Sequence, residues 1–418
     1  MLLQVQQRWS FAPILHNFFN LGIFQAASIA LQLLVIPIIT RKYGIATFGQ
    51  VALAASFANF ISNFSNYGTS QTAIKDVAAN TEDKVFLSKL FYKILIFRFL
   101  ASAIFLPVIG LMLFLHPDMS IWVWIGAIPL ILSEIINPLY FLIGKEKIQW
   151  ISWGNIAVKI IVLLLILFIP LQSQPAAWVN ALLGIPVVAY YIFICFYIHR
   201  KESLQMMMPS KKSLIHLAKE NFYIMFNGTA VSLQQSVFLF TVANYVSANT
   251  LGMYALIDKL LGVFRQLISS VSSAIYPQAA RLFYQSPLQW FEFKKTLQKM
   301  YGILFGTGAL VLFFGAKWIV FLITKKDDPA TEMFVKMFSL APLMMALNAN
   351  NVLTLLLEKR HRTLFIISMI ILTITFLISF LFVLFTDHQS LGWYPLVIES
   401  ICLLIYLVFT NKKSLHAP

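Results

Sequence analysis

Long apolar stretches recur along the whole chain, and they restrict its fold more than any other feature. Twelve such stretches are centred near residues 31, 55, 105, 132, 160, 188, 233, 264, 311, 345, 371 and 404. A helix needs about 20 apolar residues to cross about 30 Å of hydrocarbon. We therefore predict an all-α polytopic membrane protein with twelve transmembrane helices, short loops and no soluble domain.

The composition agrees with this prediction. Of the 418 residues, 59% are hydrophobic and only 11% are charged, whereas soluble domains carry about a quarter charged residues. The net charge of +15 indicates basic residues that flank membrane spans. Two cysteines are too few for a disulfide framework or a zinc site. These values argue against a cytosolic enzyme, a disordered protein and a protein that binds nucleic acid.

Lysines and arginines are divided unevenly between the two sides of the predicted membrane protein. Twenty-one lie on the side of the N-terminus and four lie in the opposite loops, or six with Lys317 and Lys336 at the adjoining helix ends. Cytoplasmic loops retain positive charge. Both termini are therefore predicted to be cytoplasmic, and an even number of spans requires the same arrangement.

A segment of the first half is similar to a segment of the second half. The tripeptide TFG at residues 47–49 lies 203 positions before TLG at residues 250–252, and each opens an apolar helix. The offset predicts two six-helix bundles, residues 1–199 and 221–418, joined by a basic cytoplasmic linker at residues 200–220. We expect a pseudo-two-fold parallel repeat around a central cavity. The alternative is that short glycine-bearing turns recur by chance.

Three segments carry a resemblance to a known family. They are IITRKYG at residues 38–44 followed by FG at 48–49, NPLYFLIGKEK at 137–147, and LGMYA at 251–255 with AIYP at 274–277. These segments are similar to the first outer loop, the fourth-helix ending and the eighth helix of Wzx-type O-antigen and polysaccharide flippases. That family is part of the multidrug/oligosaccharidyl-lipid/polysaccharide exporter superfamily. The first loop departs from the family at Lys42-Tyr43, where Leu-Gly is common.

The resemblance implies a flippase of the bacterial inner membrane, which is a transporter and not an enzyme. Such a protein moves an undecaprenyl-pyrophosphate-linked oligosaccharide, the repeat unit of O-antigen or a similar polymer, from the cytoplasmic to the periplasmic leaflet by alternating access. Its implied partners are that lipid-linked glycan, the lipid bilayer, and the polymerase and chain-length regulator of lipopolysaccharide biosynthesis. No cofactor is implied, and coupling to H+ or Na+ stays open.

Two other functions stay open beside the flippase. One is a multidrug or cation exporter of the same fold, although such exporters tend to carry an acid in the first helix and residues 14–39 contain none. The other is a membrane polysaccharide polymerase or ligase, which is expected to have a large outer loop. A nucleotide-binding P-loop is absent from the sequence, so energy from bound ATP is not expected.

Ionisable side chains within membrane spans are costly, so each one needs a role. We predict that Arg265, Lys159 and Arg98 are cavity cations that bind the substrate, with Arg98 near the entrance. An arginine can grip a pyrophosphate through two hydrogen bonds. The alternative for Arg265 and Lys159 is an ion pair with Glu134, and the alternative for Arg98 is a side chain that reaches the membrane surface.

Further polar residues are candidates for a gate or for ion coupling. Asp258 and Arg41 have similar predicted depth and are a candidate gate pair between the halves, and the alternative for Asp258 is a hydrated interfacial position. Lys259 is expected to extend outward, and Glu399 is a candidate H+ or Na+ site. Amides of the seventh span indicate either a wet cavity or interhelical hydrogen bonds; they are Asn227, Gln234, Gln235 and Asn244.

Overall fold

The computed structural model describes residues 27, 29–31, 33–105, 110, 120–170 and 175–411. Every regular element in this part of the chain is helical, so the predicted all-α class is confirmed. Most of the predicted first span and the second half of the predicted third span lie outside the described residues.

The described part of the first half contains eight helices, and the first of them, α1, covers residues 33–43. The others are α2 (Ile45–Asn66), α3 (Thr69–Ala79), α4 (Lys84–Ala103), α5 (Ile121–Ile136), α6 (Leu139–Gly144), α7 (Ile148–Phe168) and α8 (Pro175–Lys201). In the second half the order is α9 (Lys211–Val242), α10 (Ala248–Gln285), α11 (Pro287–Thr324), α12 (Pro329–Phe338), α13 (Ala341–Leu357), α14 (His361–Phe385) and α15 (Tyr394–Asn411). A short 3₁₀ helix, His388–Trp393, precedes α15.

Seven helical segments in the described residues are long and apolar enough to cross a membrane. They are Ile45–Asn66, Ile121–Gly144, Pro175–Lys201, Leu288–Thr324, Pro329–Leu357, Arg362–Phe385 and His388–Thr410. The helices α9 and α10 lie over two predicted spans but are not in this group. Both carry amide or hydroxyl side chains that line a cavity described below, and these polar side chains lower the mean hydropathy of the two helices.

Two predicted boundaries differ from the structure because local capping residues define the helix ends. The third-span helix begins at Lys84, since the Asp83 carboxylate accepts hydrogen bonds from the backbone N–H groups of Val85 (3.0 Å) and Phe86 (2.9 Å). The predicted linker at residues 200–220 is shorter than expected, because α8 continues to Lys201 and α9 begins at Lys211. Ser210 caps the start of α9 by accepting from the backbone N–H of Ser213. Both caps pair N–H donors that a helix start would otherwise leave unpaired.

Helix α2 packs against α5 and α8 of the first half and against α9 and α10 of the second. The two glycines of the predicted repeat meet where α2 and α10 begin. A Cβ atom on Gly49 would lie 2.7 Å from the backbone nitrogen of Gly252, and a Cβ atom on Gly252 would overlap the carbonyl oxygen of Ile45. Only glycine permits this backbone contact. We call it the glycine seam, and it joins the two halves.

The end of α1 also contacts the second half. Thr40 donates from Oγ1 to the carbonyl oxygen of Ile323 (2.9 Å), and Arg41 donates from Nε to the same oxygen (3.3 Å) and from Nη2 to that of Leu322. These carbonyls belong to the last turn of α11. The last four carbonyls of a helix have no partner within the helix, and a cation is favourable at this end of the helix dipole.

The neighbouring Lys42 makes the same kind of contact within the first half. Its Nζ atom donates to the carbonyl oxygens of Ile166 (3.1 Å), Leu167 (3.2 Å) and Ile169 (2.7 Å), at the end of α7. Adjacent basic residues therefore cap one helix end in each half. Arg41 connects the halves, whereas Lys42 does not.

Candidate functional site

A cavity of about 730 Å³ lies among five helices of the second half, α9, α10, α13, α14 and α15. Its lining is mixed, with apolar side chains beside many hydroxyl, amide and phenol groups. The predicted central cavity between two bundles stays a prediction, because this cavity lies within the second half. All of its lining residues lie between Val231 and Tyr406.

One face of α10 supplies a continuous polar strip to this cavity. Arg265, Ser269, Ser272 and Tyr276 follow one another at intervals of four, three and four residues, and all four line the cavity. Residues at this spacing share one side of an α-helix. The strip spans eleven residues, or about 16 Å along the helix axis.

Arg265 lies between two carboxylates. Its Nη1 atom is 3.4 Å from Oδ1 of Asp258, which lies seven residues earlier on the same face of α10. Its Nη2 atom is 3.8 Å from Oε1 of Glu399 on α15. The alternative of an ion pair between Arg265 and Glu134 is wrong, because the carboxylates near Arg265 are those of Asp258 and Glu399, while Glu134 contacts Asn66 and Asn137. We call Asp258, Arg265 and Glu399 the charged triad. It carries two negative charges and one positive charge.

The contacts of this triad are long. Charge-assisted N–H···O hydrogen bonds are usually about 2.7–2.9 Å, and both ion pairs of Arg265 exceed this range. An arginine side chain has five N–H donors, and the described residues accept a single hydrogen bond from Arg265, the 3.4 Å contact with Asp258. The guanidinium therefore has its charge balanced while most of its donors have no protein acceptor, and its side chain is 25% exposed.

The structure also corrects the predicted gate pair. Asp258 contacts Arg265, and Arg41 contacts the carbonyls at the end of α11. Arg41 therefore connects the two halves, as we expected of a gate residue. It does so by donating to the backbone oxygens of α11 and not by pairing with the Asp258 carboxylate. The physical reason is that unpaired helix-end carbonyls at the end of α11 attract a cation in the same way as a carboxylate does.

Arg98 is fully enclosed and does not line the cavity, so its predicted position near an entrance is wrong. It lies 14 residues after the start of α4 at Lys84, or about 21 Å into that helix. It donates to the hydroxyls of Thr69 (2.9 Å) and Ser70 (2.8 Å), and to the backbone oxygens of Glu134 (3.2 Å) and Asn137 (2.9 Å). These two oxygens belong to the end of α5, where Pro138 interrupts the helix.

Glu134 belongs to the same first-half cluster as Arg98. Its carboxylate accepts hydrogen bonds from the amides of Asn66 and Asn137, the latter at 3.0 Å. Lys159 is half-buried on α7 and is not among the residues that line the second-half cavity. Lys259 is half-buried beside the charged triad on α10. Binding roles for Lys159 and Lys259 stay predictions.

Aromatic side chains close one end of the cavity. The rings of Phe238 and Tyr394 are stacked with centroids 3.5 Å apart, and Tyr254 lies edge-on to Phe238 at 4.7 Å. Tyr254 and Tyr394 line the cavity, and Tyr254 is two residues from Gly252 of the glycine seam. The aromatic lining of the cavity is therefore connected through the first turns of α10 to the contact between the halves.

A family comparison decides what kind of protein has this arrangement. The family model described as "Polysaccharide biosynthesis protein" matches residues 14–283. The chain belongs to this family. It is also 20% identical over 308 residues to the "Putative O-antigen transporter" of Escherichia coli (strain K12), a match that covers 73% of this chain and 74% of that protein. The predicted resemblance to polysaccharide flippases is confirmed.

Solved structures show the fold of this polysaccharide biosynthesis family member. An inward-facing multidrug resistance MATE family transporter of the MOP superfamily superimposes with a TM-score of 0.77, at 11% identity and with 92% of this chain and 94% of that chain covered. The lipid II flippase MurJ in an inward closed conformation gives a TM-score of 0.73, at 14% identity and with 94% and 87% covered. The chain thus has the MATE and MurJ fold.

Several lining residues of this family member were not singled out from its sequence. The predicted amides Gln234 and Gln235 line the cavity, but Gln234 also donates to Cys402 and Asn227 accepts from Ser368 on other helices, so both alternatives for the predicted seventh span stay open. The serines of α10 and the tyrosines of α15 were missed. The regular spacing of Ser269, Ser272 and Tyr276 from Arg265 was a usable signal, since these residues extend the face of a costly buried charge.

The motif GKEK, which helped to identify the family, has a structural role at a loop outside the membrane spans. Lys145 and Lys147 contact the carboxylate of Glu202 at 2.9 and 3.3 Å, and Lys145 also donates to the carbonyl oxygen of Thr81 (2.5 Å). Partial burial raises the pKa of Glu202, but the hydrogen bonds and charges of the two lysines outweigh this effect and leave the pKa below its ordinary value. This cluster joins three loops of the first half.

Proposed function

We propose that this protein is a flippase for an undecaprenyl-pyrophosphate-linked oligosaccharide, an O-antigen or similar repeat unit. The polar cavity of the second half is the observation that carries the proposal. Its size of about 730 Å³ and its hydroxyl, amide and phenol lining suit a bound glycan. The family match and the name of the Escherichia coli relative support a role in polysaccharide transport, and the MurJ-like fold supports transport of a lipid-linked glycan.

Arg265 is the proposed contact for the pyrophosphate. The sequence suggested a cavity rich in uncompensated cations, whereas the structure has an arginine between two carboxylates. Its long contacts with Asp258 and Glu399 leave donors for phosphate oxygens. A bound pyrophosphate would compete with these carboxylates, so uptake of a proton or sodium ion by Glu399 or Asp258 would offset the added negative charge. Binding of the pyrophosphate would in this way be coupled to uptake of H+ or Na+.

The proposed protein has twelve spans in the inner membrane, arranged as two six-helix halves, and both of its termini are cytoplasmic. In the proposed mechanism the two halves move to give alternating access to the substrate. The glycine seam and the Arg41 contacts with α11 lie at the proposed periplasmic end and close it. The MATE transporter and MurJ structures named above are in an inward-facing and an inward closed conformation, respectively. The proposed outward state separates Gly49 from Gly252 and releases Arg41 to water. The partners we propose are the glycan lipid, the bilayer, and a polymerase and chain-length regulator.

Export of an organic cation is the second candidate function, and the charged triad favours it. The triad has one more negative than positive charge, which would attract a cation, and the MATE-like fold is compatible with it. This candidate places the cargo beside Glu399. Catalysis by a polymerase or ligase is not proposed, since the family relative named above is a transporter.

Reconstituted transport separates these functions. The purified protein in liposomes should move a fluorescent polyprenyl-pyrophosphate glycan between leaflets, and an Arg265→Ala variant should lose this movement while inserting normally. In cells, the same variant should lack surface polysaccharide at unchanged protein level. Export of an organic cation dye without glycan movement would instead establish the second candidate.

A further inference from the structure

The cavity of the second half has two chemically different ends. Arg265 and Glu399 are the two charged residues among its lining residues in the described part of the chain, and they lie together. Beyond them, along α10, the polar lining is uncharged. The two ends therefore suit different parts of one molecule, an ionic group at the triad and an uncharged polar group beyond it.

The uncharged end is accessible and is built from more than one helix. Ser269 and Ser273 are exposed, and Tyr276 is 41% exposed. On another helix, α13, Asn348 contributes an amide to the same lining, whereas Gln234 of α9 lies at the charged end, where it donates to Sγ of Cys402, one turn from Glu399. Amides and hydroxyls each provide both donors and acceptors, so this surface can satisfy a ligand that carries several hydroxyl groups.

The chemistry of this end argues against an apolar cargo. Sites for apolar molecules are lined mainly by hydrophobic and aromatic groups with few polar ones. Here an apolar ligand would cover the exposed hydroxyl of Ser269 without pairing it, which is unfavourable. The hydroxyl of Ser272 lies 3.0 Å from that of Tyr301 and keeps one further hydrogen-bonding position for a ligand. A sugar chain offers hydroxyls for these groups and apolar ring faces for the phenol of Tyr276.

We propose that the face formed by Ser269, Ser272 and Tyr276, together with Asn348, binds the sugar units of the substrate and selects uncharged glycans of more than one unit. This inference rests on the proposed function and deepens it. The face extends about 16 Å from Arg265 along α10, so it is longer than one sugar. An acidic sugar on this face would find no lysine or arginine among the described lining residues other than Arg265, which the pyrophosphate occupies, and the Glu399 carboxylate would repel it.

The test uses the full-length protein in liposomes with three defined polyprenyl-pyrophosphate substrates. These carry one neutral sugar, three neutral sugars, or three sugars of which two are uronic acids. The wild-type protein should flip the neutral trisaccharide fastest. A Ser269→Ala, Ser272→Ala double variant should slow the neutral trisaccharide about tenfold, the loss expected for two hydrogen bonds, and should leave the monosaccharide substrate nearly unchanged. Because Ser272 also contacts the buried Tyr301 hydroxyl (3.0 Å), the single variant Ser269→Ala is measured beside it and should show the same preference to a smaller extent.

Ser270→Ala is the matched control. Ser270 lies on the same helix, donates to the carbonyl oxygen of Gln266 (2.7 Å), and is not a lining residue. This variant should flip all three substrates at the wild-type rate. Equal slowing of the mono- and trisaccharide in the double variant, or no slowing at all, would overturn the sugar-binding face while leaving the flippase intact.

The acidic substrate tests the selection of uncharged glycans. It should be flipped more slowly than the neutral trisaccharide by the wild-type protein, and Glu399→Gln should narrow the difference. Equal rates for the two trisaccharides in the wild type would overturn this part of the proposal. Failure of the wild type to flip any of the three substrates would refute the proposed function itself, so the two failures are distinguishable.

Discussion

Two arginines, Arg98 in the first half and Arg265 in the second, look alike in the sequence but have opposite environments. Arg98 is fully buried and donates four hydrogen bonds of 2.8–3.2 Å, all to uncharged oxygens. Arg265 lines a cavity and makes long contacts with two carboxylates. Four of the five N–H donors of Arg98 are paired, whereas Arg265 lies beside two carboxylates and uses one of its five donors among the described residues.

This difference shows that charge alone does not identify a binding residue. A buried guanidinium is costly unless its donors are satisfied, and Arg98 meets this requirement by holding α3, α4 and the end of α5 together. Arg265 meets only the charge requirement, through Asp258 and Glu399. A ligand with several oxygens completes the remaining hydrogen bonds of Arg265 and has nothing to offer Arg98.

The largest expected effect follows from removing each guanidinium with Met, which has a similar length. Arg98→Met leaves the backbone oxygens of Glu134 and Asn137 and the hydroxyl oxygen of Thr69 without the donor that Arg98 supplies inside the first half. Each unsatisfied buried group costs about 1–3 kcal/mol, so the protein should be destabilised by several kcal/mol and be nearly absent from membranes. Arg265→Met should accumulate normally and fail in transport. Quantitative immunoblots of membranes and thermal unfolding in detergent measure the difference.

The variants Arg98→Met and Arg265→Met can be compared directly because each removes a guanidinium group from a long helix. A stable but inactive Arg98→Met protein would place Arg98 in the binding machinery and break the comparison. A poorly folded Arg265→Met protein would make the charged triad a structural element.

The sequence predicted the helical class, the family and the presence of costly charges, but not how those charges are paired. Arg265 and Glu399 are 134 positions apart, and no local spacing encodes a contact between helices so distant in the chain. The depth of Arg98 was misjudged because hydropathy placed the third span too late. The cap signal of Asp83 before Lys84 was a local indication of the true helix start.

The cavity itself shows a second limit of hydropathy. Helix α10 carries its serines and Arg265 on one face, so its average hydropathy conceals a segment with two different sides. The glycine seam, in contrast, was accessible from sequence alone, because the repeat at residues 47–49 and 250–252 already aligned Gly49 with Gly252. Their direct contact required the structure.

The second prediction concerns the seam that joins the two regions. Gly252→Ala places a methyl group against the carbonyl oxygen of Ile45, whereas Gly262→Ala on the same helix meets nothing within 4 Å. Gly252→Ala should force the proposed periplasmic end apart and slow glycan movement at least tenfold, and Gly262→Ala should transport normally. Flipping assays on both variants check this. Normal transport by Gly252→Ala would show that the seam does not have to close.

The third prediction sharpens the role of the carboxylates around each arginine. If a pyrophosphate competes with Glu399 for Arg265, then Glu399→Gln should lower the KM for the glycan lipid about fivefold, corresponding to about 1 kcal/mol of relieved competition. Glu134→Gln, in the first-half cluster, should leave KM unchanged and lower thermal stability. Initial flipping rates at several substrate concentrations give KM. A complete loss of transport in Glu399→Gln would instead assign Glu399 to ion coupling.

The smallest expected effect separates Arg41 from Lys42, because each caps one helix end at a solvent-accessible position. Arg41→Ala removes a contact between the halves, whereas Lys42→Ala removes an equivalent contact within one half. Water can replace either cap, so each loss costs about 1 kcal/mol or less. Arg41→Ala should therefore raise the outward-open population a few-fold, and Lys42→Ala should leave it unchanged.

Spin labels at Thr47 and Asn249, in a background without Cys195 and Cys402, measure the distance across the seam by electron paramagnetic resonance. Equal shifts in both variants would mean that Arg41 stabilises α11 and does not hold the two halves together.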